Sequence, residues 1–133
     1  MDGTLFWQEQ LTTAIDLWQS GQSSDACDLL TETEKSTELG AKARAQLKME
    51  RAYFLGLRAH FEDANTLFNE AEILLQQSNS LEAIGDLEWR RGLVLHFFGD
   101  FKASVRCLRV ALASGEKEKN IGVVALGARA ASA

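Results

Sequence analysis

Slid forward by forty residues, the chain lands on itself: Ala43, Leu47, Arg51, Leu55, Phe61 and Ala71 fall on Ala83, Leu87, Arg91, Leu95, Phe101 and Ala111. A period of this size limits the fold more than any other property of the sequence. A unit that long is one supersecondary piece, and it buries its apolar face only by stacking on its neighbours.

The units read as helical. Proline is absent, and alanine, leucine, glutamate, glutamine, lysine and arginine fill the long segments, all of them good helix formers. Apolar residues recur at three and four, as in Leu11, Ala14, Ile15 and Trp18, in Ala43, Leu47, Phe54 and Leu55, and in Ile84, Leu87, Leu93, Val94 and Phe97, so each segment has one inward face. Short polar or glycine breaks at Gly21-Gln22, Ser36-Thr37, Ala59-His60, Ser78-Asn79, Gly99-Asp100 and Ser114-Gly115 predict about seven helices, over 4–20, 23–37, 40–58, 61–77, 81–98, 101–114 and 118–132. Connections this short turn neighbouring helices antiparallel. The expected fold class is all-α, a single domain over 1–133 made of hairpin units at about 4–38, 40–78 and 80–116 plus the terminal helix 118–132.

Small residues repeat where hairpins need them. Ala14, Ala52 and Gly92 sit mid-way along the first helices, Gly21, Ala59 and Gly99 at the turns, and Ala26, Ala64 and Ser104 early in the second helices. A small side chain there lets two helix axes approach closely. With Gly99-Asp100-Phe101-Lys102-Ala103-Ser104, Leu108 and Ala111, and with Ala59-His60-Phe61-Glu62-Asp63-Ala64, Phe68 and Ala71, the chain resembles the tetratricopeptide repeat family. Its spacing of 38 and then 40 is similar to the long-repeat members of that family rather than to the usual unit of about 34 residues. The resemblance implies a right-handed superhelical array whose first helices line a concave groove.

Totals set further bounds. A formal net charge of −5 argues against general affinity for nucleic acid or an anionic membrane, while leaving room for a local basic strip. Cys27 and Cys107 lie in apolar helical patterns and read as buried free thiols. The first residues lack the pattern of a secretory signal, and no apolar run reaches the eighteen or so residues of a bilayer span; a cytoplasmic setting is the expectation. His60 and His96 lie in no metal-ligand spacing, the acidic pairs Glu62/Asp63 and Glu70/Glu72 sit on helix faces, and no phosphate loop occurs, so neither enzyme activity nor a cofactor is expected.

Two surfaces stand out. Arg51 and Arg91 each lie between leucines four residues away on either side, Leu47 and Leu55, then Leu87 and Leu95, which places a guanidinium on an apolar stripe; Arg44, Lys48 and Arg58 extend the strip. Two readings are open: a ladder that captures carboxylates of a partner, or internal ion pairs with Glu32, Glu34, Glu70 or Glu88. The second surface is implied by the resemblance, whose groove positions fall on Leu11, Ile15 and Trp18, on Met49, Tyr53 and Leu57, and on Trp89, Leu93, His96 and Phe97. Each of these also fits a core position. The expected function is a protein-interaction scaffold that receives a peptide or helix in the groove; the alternative is a sensor segment of a larger regulator that responds to a small effector. The apolar run after Ile121, with Arg129 as its one charge, is expected to be a self-association surface or the start of a unit cut from a longer chain.

Overall fold

A computed structural model describes residues 3–36 and 39–117. Among these described residues six α-helices follow one another: α1 (Gly3–Gln19), α2 (Ser23–Glu34), α3 (Ala41–Leu57), α4 (Phe61–Gln77), α5 (Ile84–Phe98) and α6 (Phe101–Lys117). A single 3-10 turn, Leu81–Ala83, leads into α5, where the sequence predicts unbroken α-helix. Among the described residues there is no strand. The expected helix over 118–132 lies outside them.

The three hairpin turns are one device used three times. Gly21, Ala59 and Gly99 hold left-handed backbone at φ +84°, +70° and +105°. In each, the next residue's N–H reaches back five residues to a leucine carbonyl: Gln22 to Leu17 at 2.8 Å, His60 to Leu55 at 2.9 Å, Asp100 to Leu95 at 3.0 Å. This bond satisfies a carbonyl that the helix end leaves open. The following helix starts without a side-chain cap at Gln22 or His60; only Asp100 takes that role, its Oδ1 accepting from the Ala103 N–H at 3.2 Å.

Within the hairpins the small residues are buried as expected: Ala14, Ala26, Ala52, Ala64 and Ser104 have essentially no exposed surface. Ser104 Oγ donates to the Gly92 carbonyl at 2.7 Å, and a Cβ on Gly92 would stand 2.8 Å from Leu108 Cδ2. Close approach continues between hairpins, where a Cβ on Gly56 of α3 would meet Val94 Cγ1 of α5 at 2.5 Å.

Two apolar cores lie at the junctions. Trp7, Leu30, Leu47 and Phe54 pack between the first and second hairpins, with Trp18 stacked on Phe54 at 4.4 Å between ring centroids. Met49, Phe68, Leu75, Leu87 and Val94 pack between the second and third. α1 and α2 both touch α3, and α3 and α4 both touch α5, whereas the first and third hairpins share no comparable contact. The described hairpins therefore lean on one another in sequence order.

Ala59 is the one non-glycine residue at these three turns, and left-handed backbone costs an L-residue about 1–2 kcal/mol. Ala59→Gly should raise stability by about 0.5–1 kcal/mol after its own entropic cost, and Gly99→Ala, with open space around its new methyl, should lower it by a similar amount. Urea unfolding midpoints measure both; an Ala59→Gly protein no more stable than the parent contradicts the turn geometry.

Candidate functional site

The two arginines of the apolar stripes are spent internally. Arg51 Nη1 lies 3.0 Å from Glu34 Oε2 and donates to Thr31 Oγ1 at 3.1 Å. Arg91 Nη1 lies 2.9 Å from Glu72 Oε1 and 2.6 Å from Glu88 Oε1, and its Nη2 donates to Asn69 Oδ1 at 3.3 Å. Thr31 and Glu34 on α2 stand in the repeat where Asn69 and Glu72 stand on α4, so the same junction is built twice: an arginine on the first helix of one hairpin holds an acid and a polar side chain on the second helix of the hairpin before. Lys48 ties Glu34 at 2.6 Å and Glu70 at 2.9 Å; burial works against its charge, but the two carboxylates outweigh it and hold the ammonium above its ordinary range. Arg44 donates to the carbonyls of Glu34 and Ser36, both at 3.0 Å, closing the C-terminal end of α2. Glu32, one of the four acids named as partners, instead pairs with Lys35 at 2.9 Å in solvent. The internal-pairing reading of Arg51 and Arg91 describes the structure.

Beside each arginine a cleft opens between a second helix and the next first helix. Phe61, Glu62, Asn65, Phe68, Arg91, Val94, Leu95 and Phe98 line one of about 260 Å³ between α4 and α5. Ser24, Cys27, Thr31, Arg51, Leu55 and Arg58 line its repeat counterpart between α2 and α3, of about 580 Å³ and extending to His60 and Asp63. Equivalent positions carry opposite chemistry: Arg58 in one is Phe98 in the other, and Cys27 is Asn65. The α4–α5 cleft is aromatic and apolar. Phe61 lies 4.6 Å from Phe98 and 6.0 Å from Phe97 between ring centroids, and Phe97 and Phe98 remain 56% and 58% exposed.

The groove positions fare unevenly. Met49 is only 3% exposed and belongs to the core between the second and third hairpins, which corrects its assignment to the groove. Tyr53, Leu57, Trp89 and Leu93 are half-buried, and His96 and Phe97 are exposed. Tyr53 and Trp89 stand 6.2 Å apart between ring centroids, Arg90 lies over the Trp89 ring at 5.8 Å, and burial raises the Tyr53 phenol above its ordinary value. Trp89 Nε1 is buried without a hydrogen-bond partner. Helical spacing sets Trp89, Leu93, His96 and Phe97 on one side of α5 and Arg91, Leu95 and Phe98 on the other. The structure thus does not unite the arginines with the groove row; it puts them on opposite flanks. Sequence reading missed Phe98, whose signal was an aromatic at the last helical position before the Gly99 turn.

Among the described residues no group of histidines, cysteines and carboxylates is arranged to hold a metal ion, and no helix is long and apolar enough to cross a membrane. Cys27 is buried and Cys107 half-buried, both as free thiols. Burial, aided by a hydrogen bond to Glu88, pushes the Cys107 thiol up to about 12.

Arg91→Leu strands Glu88 and Glu72 and should cost about 1–3 kcal/mol; Glu32→Gln, at an exposed pair, should cost under about 0.5 kcal/mol. Urea unfolding of the two variants compares them, and equal costs would mean that the junction contributes nothing. For Cys107, the folded state disfavours the thiolate, so its stabilising contribution is whole below the ordinary thiol value of 9.0 and is lost as pH climbs from there toward about 12. Alkylation of Cys107 by iodoacetamide at pH 8 should be slower in the folded chain than in urea by about two to three orders of magnitude; comparable rates would show the thiol to be open. Set beside protein-family models, curated proteins and solved structures, the chain matches none.

Proposed function

We propose that the chain is a non-catalytic protein-interaction module, a tetratricopeptide-like superhelical array that seats an apolar side chain of a partner peptide or helix in the cleft between α4 and α5. One observation carries this reading: Phe98 stays 58% exposed on a cleft that it lines together with Phe61, Phe68, Val94 and Leu95, and exposed Phe97 touches the Phe61 ring beside it. Exposed aromatics around a concave apolar site are the residue type that supplies most binding energy at protein interfaces, and leaving them in water has no structural return. The arginine beneath is held by Glu72 and Glu88, so it shapes the floor rather than competing for the ligand. The half-buried row of Tyr53 and Trp89 on the other flank of α5 offers a shallower contact. The alternative of a small-effector sensor draws less support, because the apolar cleft of about 260 Å³ lies under the usual range of about 300–1,000 Å³ for small-molecule sites, and the larger α2–α3 cleft of about 580 Å³ is bordered by exposed polar side chains, Arg58, His60 and Asp63, rather than by apolar walls.

Peptides selected from a displayed random library on the whole chain should share one bulky apolar residue. Phe98→Ser should weaken them at least about tenfold, roughly 1.4 kcal/mol, while Ile73→Ser, at an exposed residue of α4 away from the cleft, should not. Selection that enriches nothing, or peptides that bind the Phe98→Ser protein as well as the parent, would sink the reading.

A further inference from the structure

The α6 helix carries the junction's second-helix positions with their chemistry reversed. In α2 and α4 every charged residue is acidic, Asp25, Asp28, Glu32 and Glu34 in one and Glu62, Asp63, Glu70 and Glu72 in the other. From Phe101 to Ser114 every charged residue is basic: Lys102, Arg106 and Arg109. All three are exposed, and none has an ion-pair partner among the described residues, whereas Lys42, Lys48, Arg51, Arg90 and Arg91 each have one.

Register makes the reversal specific. The position that accepts the junction arginine's hydrogen bond is Thr31 in α2 and Asn69 in α4; in α6 it is Arg109. The position of its carboxylate partner is Glu34 and then Glu72; in α6 it is Leu112. Phe101 occupies the place of Phe61, which the next hairpin covers through Phe97 and Phe98, yet Phe101 is 59% exposed. Together with half-exposed Val105 and Leu112 it forms an apolar row along one edge of α6, with Arg109, Lys102 and Arg106 beside it at helical spacing.

We propose that this edge of α6 docks an acidic amphipathic helix of a partner protein, apolar residues against Phe101, Val105 and Leu112 and carboxylates against Arg109, Arg106 and Lys102. Charge complementarity selects the occupant. Another hairpin of the kind already present would bring an arginine against Arg109, and α6 against α6 of a second copy would set three cations against three; like charges at close range are disfavoured. Residues 118–133 bring Lys119 and Arg129 against Glu118 alone, so they do not supply the negative charge. This surface is separate from the α4–α5 cleft.

The test uses two synthetic amphipathic helices on the whole chain, identical in their leucine face and differing only in glutamate or lysine on the polar face, followed by fluorescence anisotropy. The glutamate peptide should bind at least tenfold tighter than the lysine peptide and weaken as salt rises. Arg106→Glu with Arg109→Glu should reverse that order with an unchanged melting temperature, since both side chains are exposed and neither has an ion-pair partner among the described residues, and Phe98→Ser should leave it unaltered. Equal binding of the two peptides, or a preference that survives the double substitution, overturns the proposal. So does no binding by the whole chain, the result if residues 118–133 lie over this edge. Concentration-dependent self-association abolished by Arg109→Glu would replace the partner with a second copy and likewise overturn it. Tighter binding of anionic vesicles or single-stranded nucleic acid than of the glutamate peptide, lost in the same double variant, would do so as well.

Discussion

A guanidinium laid on an apolar helix stripe must find a carboxylate, because leaving it alone against a core costs several kcal/mol. That constraint organises this molecule. Arg51 can meet Glu34 only if α3 lies along α2 in one rotation and one register, and Arg91 can meet Glu72 only if α5 repeats that placement on α4. The surrounding apolar contacts, with Leu30, Leu47 and Phe54 at one junction and Phe68, Leu87 and Val94 at the other, supply the burial that drives the stacking. The paired charges restrict its register, together with close fits such as that of Gly56 against Val94. Exposed pairs such as Lys35–Glu32 contribute little to this.

The elements were legible in the sequence where their causes are local. Left-handed turns at Gly21, Ala59 and Gly99 follow from the backbone of a few residues, and the buried small residues at Ala14, Ala52 and Gly92 follow from a spacing that recurs. Helix ends moved by a residue or several, as where α2 stops at Glu34 and α5 is preceded by a 3-10 turn. The array's handedness has no such local signature and stays within the proposed reading.

The site was harder to read because identical repeat positions have different neighbours. Met49 and Trp89 are equivalent, forty residues apart, yet Met49 is covered by the third hairpin while Trp89 stays half-exposed. Phe61 and Phe101 differ in the same way. Whether a position faces core or solvent depends on whether another unit follows, and a pattern within one unit does not carry that information. Choosing Glu34 over Glu32 needed the rotation of α2 about its own axis, which only the packed structure supplies.

One set of contacts bears on how the units are ordered. Lys42 of α3 meets Glu82 at 2.7 Å, and Glu50 of α3 meets Arg90 of α5 at 2.6 Å; in both cases the partners occupy the same place in successive units and carry opposite sign. A duplicated copy of either unit beside itself would confront lysine with lysine or glutamate with glutamate. The hairpins are therefore alike in shape but not interchangeable, and a folding chain that docked one in its sibling's slot would meet repulsion at two points along the seam.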